Sequence, residues 1–255
     1  MNRLKQLFEQ KKDPILSIYY TAGYPELNNT LDIAEALEKA GVDFLEIGFP
    51  YSDPVADGPV IQNSSEKALH NGMTLKVLFD QLKDLRKRIT IPILLMGYVN
   101  PVLQYGVENF CKSASEAGVD GVIVADLPIY EYEELYRGYF EKHGLSNIFL
   151  ITPQTSEERI RKIDSLTSGF IYMVSSSATT GKNLALSDTT ETYFSRVKAM
   201  NLKNPLIIGF GISDKPSFEK AAKYASGAIV GSAFVKFLEQ PDAKNRIKEF
   251  VGTIR

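Results

Sequence analysis

The sequence predicts an α/β protein, a (β/α)8 or TIM barrel, from three observations. Eight short apolar runs alternate with helix-like segments along 255 residues, close to the roughly 250 typical of that fold. The runs are continuously apolar rather than alternating with polar residues, as expected for parallel strands covered on both faces. No G-x-G-x-x-G follows the first run, as an open nucleotide-binding sheet would more naturally show.

The strand candidates, in order, are Ile15–Tyr20, Val42–Ile47, Ile91–Met96, Val119–Ala125, Ile148–Ile151, Phe170–Val174, Leu206–Phe210 and Ala228–Val230. Helical spacing recurs over Leu27–Lys39, Thr74–Arg88, Val107–Ala117, Tyr130–Lys142, Ser156–Leu166, Thr189–Met200, Pro216–Tyr224 and Asp242–Val251. Start signals support two of these. Ser156 is followed at once by two acids, and Pro216 stands in a first helical turn after Ser213-Asp214. An amphipathic segment, Met1 to Phe8, adds an extra N-terminal helix, and Ala233–Leu238 a short one near the other end. A weak repeat runs through the chain: Ala40-Gly41-Val42-Asp43-Phe44 echoes Ala117-Gly118-Val119-Asp120-Gly121, with a fainter echo at Ser168-Gly169-Phe170. Each copy reads as a glycine-capped helix end running straight into a strand. No linker or low-complexity tract divides the chain, so residues 1–255 are expected to form one barrel domain.

Composition narrows the function. A net charge of −2 without a long basic stretch gives nucleic-acid binding no electrostatic support. The single cysteine, Cys111, excludes an intrachain disulfide and a cysteine metal cluster. The two histidines, His70 and His143, precede Asn-Gly and Gly, where helices end, so proton transfer falls to carboxylates or tyrosines. The longest apolar stretch, near Ile91 to Val99, is too short to span a bilayer, and the N-terminus lacks a signal-peptide core; the expected location is the cytoplasm.

In a barrel, chemistry sits where strands run into their following helices. Glu46 lies at the end of the second strand there, with Asp57 in the Pro/Gly-rich loop Phe49–Pro59 over the same mouth; Asn100 and Asp126 follow strands three and four. A carboxylate in an apolar run must be paired, hydrogen-bonded or kept neutral. Glu46 fits catalysis or a structural role equally, and Asp57 in Asp-Gly-Pro also suits a turn. Glycine segments after the last three strands carry Gly181, Gly211, Gly231 and Ser232, whose backbone N–H groups suit an anion. Each glycine alone also suits a tight turn. Tyr19, Tyr98, Tyr172 and Phe210 near strand ends serve either core packing or an aromatic substrate pocket.

The run Leu45-Glu46-Ile47-Gly48-Phe49-Pro50-Tyr51-Ser52-Asp53-Pro54-Val55-Ala56-Asp57-Gly58-Pro59 resembles the signature of the tryptophan synthase alpha chain family. The similarity continues through Tyr20-Thr21-Ala22-Gly23-Tyr24-Pro25, Leu95-Met96-Gly97-Tyr98-Val99-Asn100-Pro101, Ala125-Asp126-Leu127-Pro128 and Gly209-Phe210-Gly211-Ile212-Ser213, in order along nearly the whole chain. The resemblance implies a lyase that cleaves indole-3-glycerol phosphate to indole and glyceraldehyde 3-phosphate. It also implies a beta chain partner in an α2β2 tetramer, with pyridoxal phosphate held by that partner and none in this chain.

By the same resemblance Glu46 is the general acid/base, protonated at the start, and Asp57 is the ionised carboxylate that holds the ring N–H. Gly181, Gly211, Gly231 and Ser232 match phosphate positions, and Tyr172, Phe210 and Tyr98 match pocket positions. The loops Pro50–Pro54 and Asn100–Gly106 match the interface. Two departures stand out. The loop Ser175–Gly181 lacks the arginine and first glycine of the usual Ser-Arg-x-Gly-Val-Thr-Gly, and Tyr24 stands where aspartate is frequent.

Overall fold

The computed structural model describes residues 2–174, 188–209 and 211–255. Its nine strand segments are β1 (Ile15–Thr21), β2 (Phe44–Gly48), β3 (Ile93–Gly97), β4 (Gly121–Val124), β5 (Ser146–Ile148), β6 (Leu150–Ile151), β7 (Ile171–Val174), β8 (Leu206–Gly209) and β9 (Gly227–Val230). All pair in parallel, in the order β5-β4-β3-β2-β1-β9-β8-β7-β6. The two ends of that order are one stretch of chain broken only at Phe149. β5 pairs with β4 on one side and β6 with β7 on the other, while the Phe149 carbonyl accepts from Tyr172 N–H at 3.0 Å. The ring therefore closes as an eight-stranded barrel whose fifth strand is split. Strand five begins two residues before the expected Ile148, because Ser146 and Asn147 pair with β4.

Alternate residues along each strand go to two separate apolar clusters, which is why the runs carry no polar alternation. Leu16, Ile18, Tyr20, Leu45 and Ile47 pack outward beneath the helices. Ile15, Phe44, Leu94, Ile123, Ile148, Phe170, Ile207 and Ile229 fill the interior. The N-terminal helix Arg3–Gln10 plugs the barrel bottom with Leu4, Leu7 and Phe8, an i, i+3, i+4 stripe. Its start is capped by Asn2, whose side chain accepts from Leu4 N–H at 2.9 Å. Burying Leu4 fully contributes about 1.5–3 kcal/mol, and Phe8 adds a ring contact with Phe170 at 5.8 Å.

The internal repeat has a physical meaning at this bottom face. Asp43 Oδ2 accepts from Leu16 N–H at 2.8 Å, and Asp120 Oδ2 accepts from Ile93 N–H at 2.9 Å. Each carboxylate ties its own strand to the one before it. Asp43 is neutralised by Lys11 and Arg255, and Asp120 by Arg3 and Arg86. Arg86 and Arg255 also donate to the carbonyls of Gly118 and Gly41, the helix-ending glycines. These carboxylates stabilise the end of the barrel away from the mouth.

The helices depart from expectation in several places. Thr74–Arg88 is two pieces, Leu75–Leu82 and Leu85–Arg88, broken at Lys83-Asp84. Tyr130–Lys142 contains a π-helical turn, Tyr132–Tyr136. The last helix, Ile247–Ile254, follows a 3-10 turn at Ala243–Arg246. Two further helices appear over the mouth, Pro59–His70 and Val99–Tyr105. Among the described residues, no helix is long and apolar enough to cross a membrane.

Candidate active site

Glu46 is the third residue of β2, opposite Tyr19 of β1 and Leu94 of β3. Strand alternation turns it into the barrel interior with Phe44 below it and Gly48 above. It is 0 % exposed, and neither carboxyl oxygen has a hydrogen-bond partner among the described residues. Burial alone pushes its pKa up from the ordinary 4.5 to about 8. At neutral pH this side chain is a carboxylic acid.

Asp57 sits in the loop after β2, in a bend closed by its N–H on the Pro54 carbonyl at 3.0 Å. Pro59 at a first helical position then starts Pro59–His70. Tyr98, at the end of β3, binds this loop twice. Its hydroxyl accepts from Ala56 N–H at 3.1 Å and donates to Asp57 Oδ2 at 3.1 Å. Burial raises the Asp57 pKa from 3.8 to about 6, and the Tyr98 hydrogen bond pulls the other way. A polar loop would leave an ordinary carboxylate. The structure instead holds one that is ionised at neutral pH with little margin.

Two carboxyl groups with pKa values of about 8 and about 6 are therefore separated into an acid and a base by environment. Tyr172, on the interior face of β7, is 4 % exposed. Its phenol pKa is raised first by burial and then by the charges of Glu46 and Asp57. Aromatic bulk fits because glycines oppose it: a Cβ on Gly209 would lie 2.1 Å from Tyr172 Oη, and one on Gly48 2.2 Å from Tyr19 Oη. A cavity of about 20 Å3, room for a water, lies between Tyr19, Asp57, Met96 and Tyr98.

Among the phosphate candidates, Gly211 follows β8 with a left-handed φ of +76°. Gly231 follows β9 and leads into the short helix Ser232–Phe237. A Cβ on Gly231 would stand 3.7 Å from Tyr19, so this backbone borders the tyrosine that pairs with Glu46 across β1 and β2. Gly181, Phe210 and the loop Ser175–Gly181 lie outside the described residues. Asn100 and Asp126 have local duties: Asn100 donates to Tyr51 Oη, and Asp126 accepts from Val99 N–H to start the helix Val99–Tyr105. Asp53 is exposed and accepts from its neighbour Ser52. His70 and His143 stand at helix ends.

Sequence reasoning missed the helix Pro59–His70 and the groups that join it to the site. Thr21 and Ser64 hydroxyls meet at 2.7 Å across 43 residues of chain. The signal was present in Pro59 and in the cationic last turn with Lys67 and His70. Its buried face, Ile61, Ser64, Ser65 and Ala68, is half serine and blurs the apolar period.

The match to known proteins runs the length of the chain. The family model for the tryptophan synthase alpha chain covers residues 4–253. The Flavobacterium johnsoniae tryptophan synthase alpha chain is 58% identical over 255 residues, covering 100% of both chains. The Bacteroides thetaiotaomicron protein of the same name is 53% identical over 94% of each. Among solved structures, tryptophan synthase subunit alpha from Legionella pneumophila superposes with a TM-score of 0.90 at 35% identity, covering 100% of this chain and 97% of that one. With its barrel and its length both matched, the chain belongs to the tryptophan synthase alpha chain family.

Proposed function

We propose that this chain is the lyase subunit of tryptophan synthase, one barrel domain working in the cytoplasm that cleaves indole-3-glycerol phosphate to indole and glyceraldehyde 3-phosphate. The observation that carries the reading is Glu46, a fully buried carboxyl without a partner among the described residues, held neutral while Asp57, in the loop that follows its strand, is ionised.

Carbon–carbon cleavage next to an indole needs an electron sink. Glu46 supplies it by protonating the ring carbon that bears the glycerol chain, which turns the ring into an iminium ion. Asp57 accepts the ring N–H and stabilises the charge that develops on nitrogen. The Glu46 carboxylate then takes the proton of the side-chain hydroxyl nearest the ring. The bond between ring and chain breaks, its electron pair returns to the ring as indole, and the hydroxyl carbon becomes the aldehyde of glyceraldehyde 3-phosphate. Glu46 ends protonated, as it began.

Tyr98 holds Asp57 in place, Tyr172 feels the charge of both carboxyl groups, and Phe210 is assigned to the pocket by resemblance. The phosphate falls to the backbone of Gly181, Gly211 and Gly231 with Ser232. Indole then passes to a beta chain, where the pyridoxal phosphate resides. Exposed Val55, Leu103, Tyr130 and Leu135 follow β2, β3 and β4 at the mouth and offer that partner an apolar surface.

The test supplies indole-3-glycerol phosphate to the purified chain, with and without a beta chain, and detects indole. Cleavage in either case supports the lyase, and cleavage only in the complex makes activation by the partner part of its action. No indole in both cases overturns the reading.

A further inference from the structure

We propose that Tyr51 is a positioning residue for Asp57: its ring, anchored through Asn100, holds the Tyr98 phenol in the place from which it binds the Asp57 carboxylate. The proposal rests on the reading of Asp57 as the carboxylate that takes the ring N–H.

The loop that carries Asp57 is fixed at its two ends. At the start, Phe49 N–H donates to the Met96 carbonyl at 2.9 Å, and the Phe49 ring meets Phe110 at 5.8 Å. At the far end Pro59 enters the helix Pro59–His70, and Gln62 Nε2 donates to the Asp57 carbonyl at 2.9 Å. These contacts hold main chain and leave the Asp57 side chain able to turn. Between them Ser52, Asp53, Val55 and Ala56 are exposed. The carboxylate receives a hydrogen bond from Tyr98 Oη, and the same oxygen accepts from Ala56 N–H. Both bonds go to this one loop. They tie the phenol to the loop without fixing where the two sit over the barrel.

Tyr51 supplies that fix. Its ring lies 5.5 Å from the Tyr98 ring with a tilt of 36°, within the range of a favourable aromatic pair. It stands just beyond the pinned Phe49, and its hydroxyl accepts from Asn100 Nδ2 at 3.1 Å. Asn100 belongs to the helix Val99–Tyr105, which Asp126 starts by accepting from Val99 N–H at 2.7 Å. Asn100 Oδ1 accepts from Gln104 Nε2 at 3.4 Å, which turns the amide nitrogen to Tyr51. The anchor matters because a void of about 20 Å3 lies beside the phenol, lined by Tyr51, Tyr98, Asp57 and Tyr19. Without the Tyr51 ring that void grows and the phenol swings off Asp57. The other titratable groups that feel the Asp57 charge are Tyr19 of β1 and Tyr172 of β7, and Asp126 after β4 acts on Tyr98 itself.

The test follows the Asp57 carboxyl carbon by nuclear magnetic resonance as pH is varied, on the full chain, with Asp57→Asn identifying the signal. In folded Tyr51→Leu the Asp57 acid constant should fall about two- to tenfold, the worth of an aromatic pair. Smaller falls in the same direction should appear in Tyr51→Phe, which keeps the ring and loses the Asn100 anchor, and in Asn100→Ala. In a Tyr98→Phe background Tyr51→Leu should add nothing, because no phenol is left to hold. An unchanged Asp57 titration in folded Tyr51→Leu overturns the proposal. An equal shift with Tyr98 already replaced also overturns it, since the effect then comes from the loop and not the phenol. Should Tyr51→Leu not fold, the absence of a shift in both Tyr51→Phe and Asn100→Ala overturns it. Cleavage is assayed in parallel. The Asp57 shift together with no indole from the unaltered chain, alone or with a beta chain, upholds the brace and overturns the lyase reading.

Discussion

Replacing Glu46 with glutamine should make the protein more stable at alkaline pH. The carboxyl is 0 % exposed, and its pKa rises from 4.5 to about 8 on burial. The folded state therefore binds a proton that the unfolded state releases between those values. The stability this contributes is fully present below about pH 4.5 and is lost as pH climbs through the folded pKa of about 8. Three and a half units at 1.36 kcal/mol each give on the order of 5 kcal/mol, an upper bound because water entering with the ionised form relaxes the cost. Glutamine has no proton to lose. Near pH 5 the two proteins should agree within about 1 kcal/mol, and near pH 9 the variant should lead by several. Asp57 titrates in both and cancels. Urea unfolding followed by far-ultraviolet circular dichroism at the two pH values reads the difference. A gap that does not change with pH would refute a buried neutral Glu46.

Tyr98→Phe removes a hydrogen bond that holds Asp57 down, so the acid limb of the cleavage profile should move upward from about 6; a limb that stays put removes Tyr98 from that role. Asp120→Ala leaves Arg3 and Arg86 uncompensated at the barrel bottom and should cost about 3–5 kcal/mol in unfolding. Turnover of the folded fraction should stay normal, since this carboxylate is at the far end from the mouth. Gly211→Val places a β-branched residue at a φ of +76° and should raise KM more than it lowers kcat. Equal KM would make that loop a turn and nothing more.

The barrel was legible because burial on both faces writes itself into the chain as unbroken apolar runs. Leu16 and Ile18 face helices while Ile15 and Ile229 face the interior, and all are apolar. The repeat around Asp43 and Asp120 was visible as a pattern, but its meaning needed the third dimension. The cations that answer it come from Arg3, Lys11, Arg86 and Arg255, spread over the whole chain. Glu46 stood out as a carboxyl in an apolar strand, a cost the sequence itself displays. Tyr98 and Tyr19 were visible only as strand-end aromatics, for packing or a pocket; that their hydroxyls reach Asp57 and Thr21 was not. The helix Pro59–His70 was hidden by the serines on its buried face, the same serines that reach the site.

The proposed cleavage turns on Glu46 delivering the first proton. Single-turnover release of indole from indole-3-glycerol phosphate, compared between the unaltered chain and Glu46→Gln with the beta chain present, tests it most directly. A loss of about 10²- to 10⁴-fold is expected in the variant, the range for a general acid, with the fold intact by circular dichroism. Release at a near-normal rate from a folded Glu46→Gln protein would contradict it.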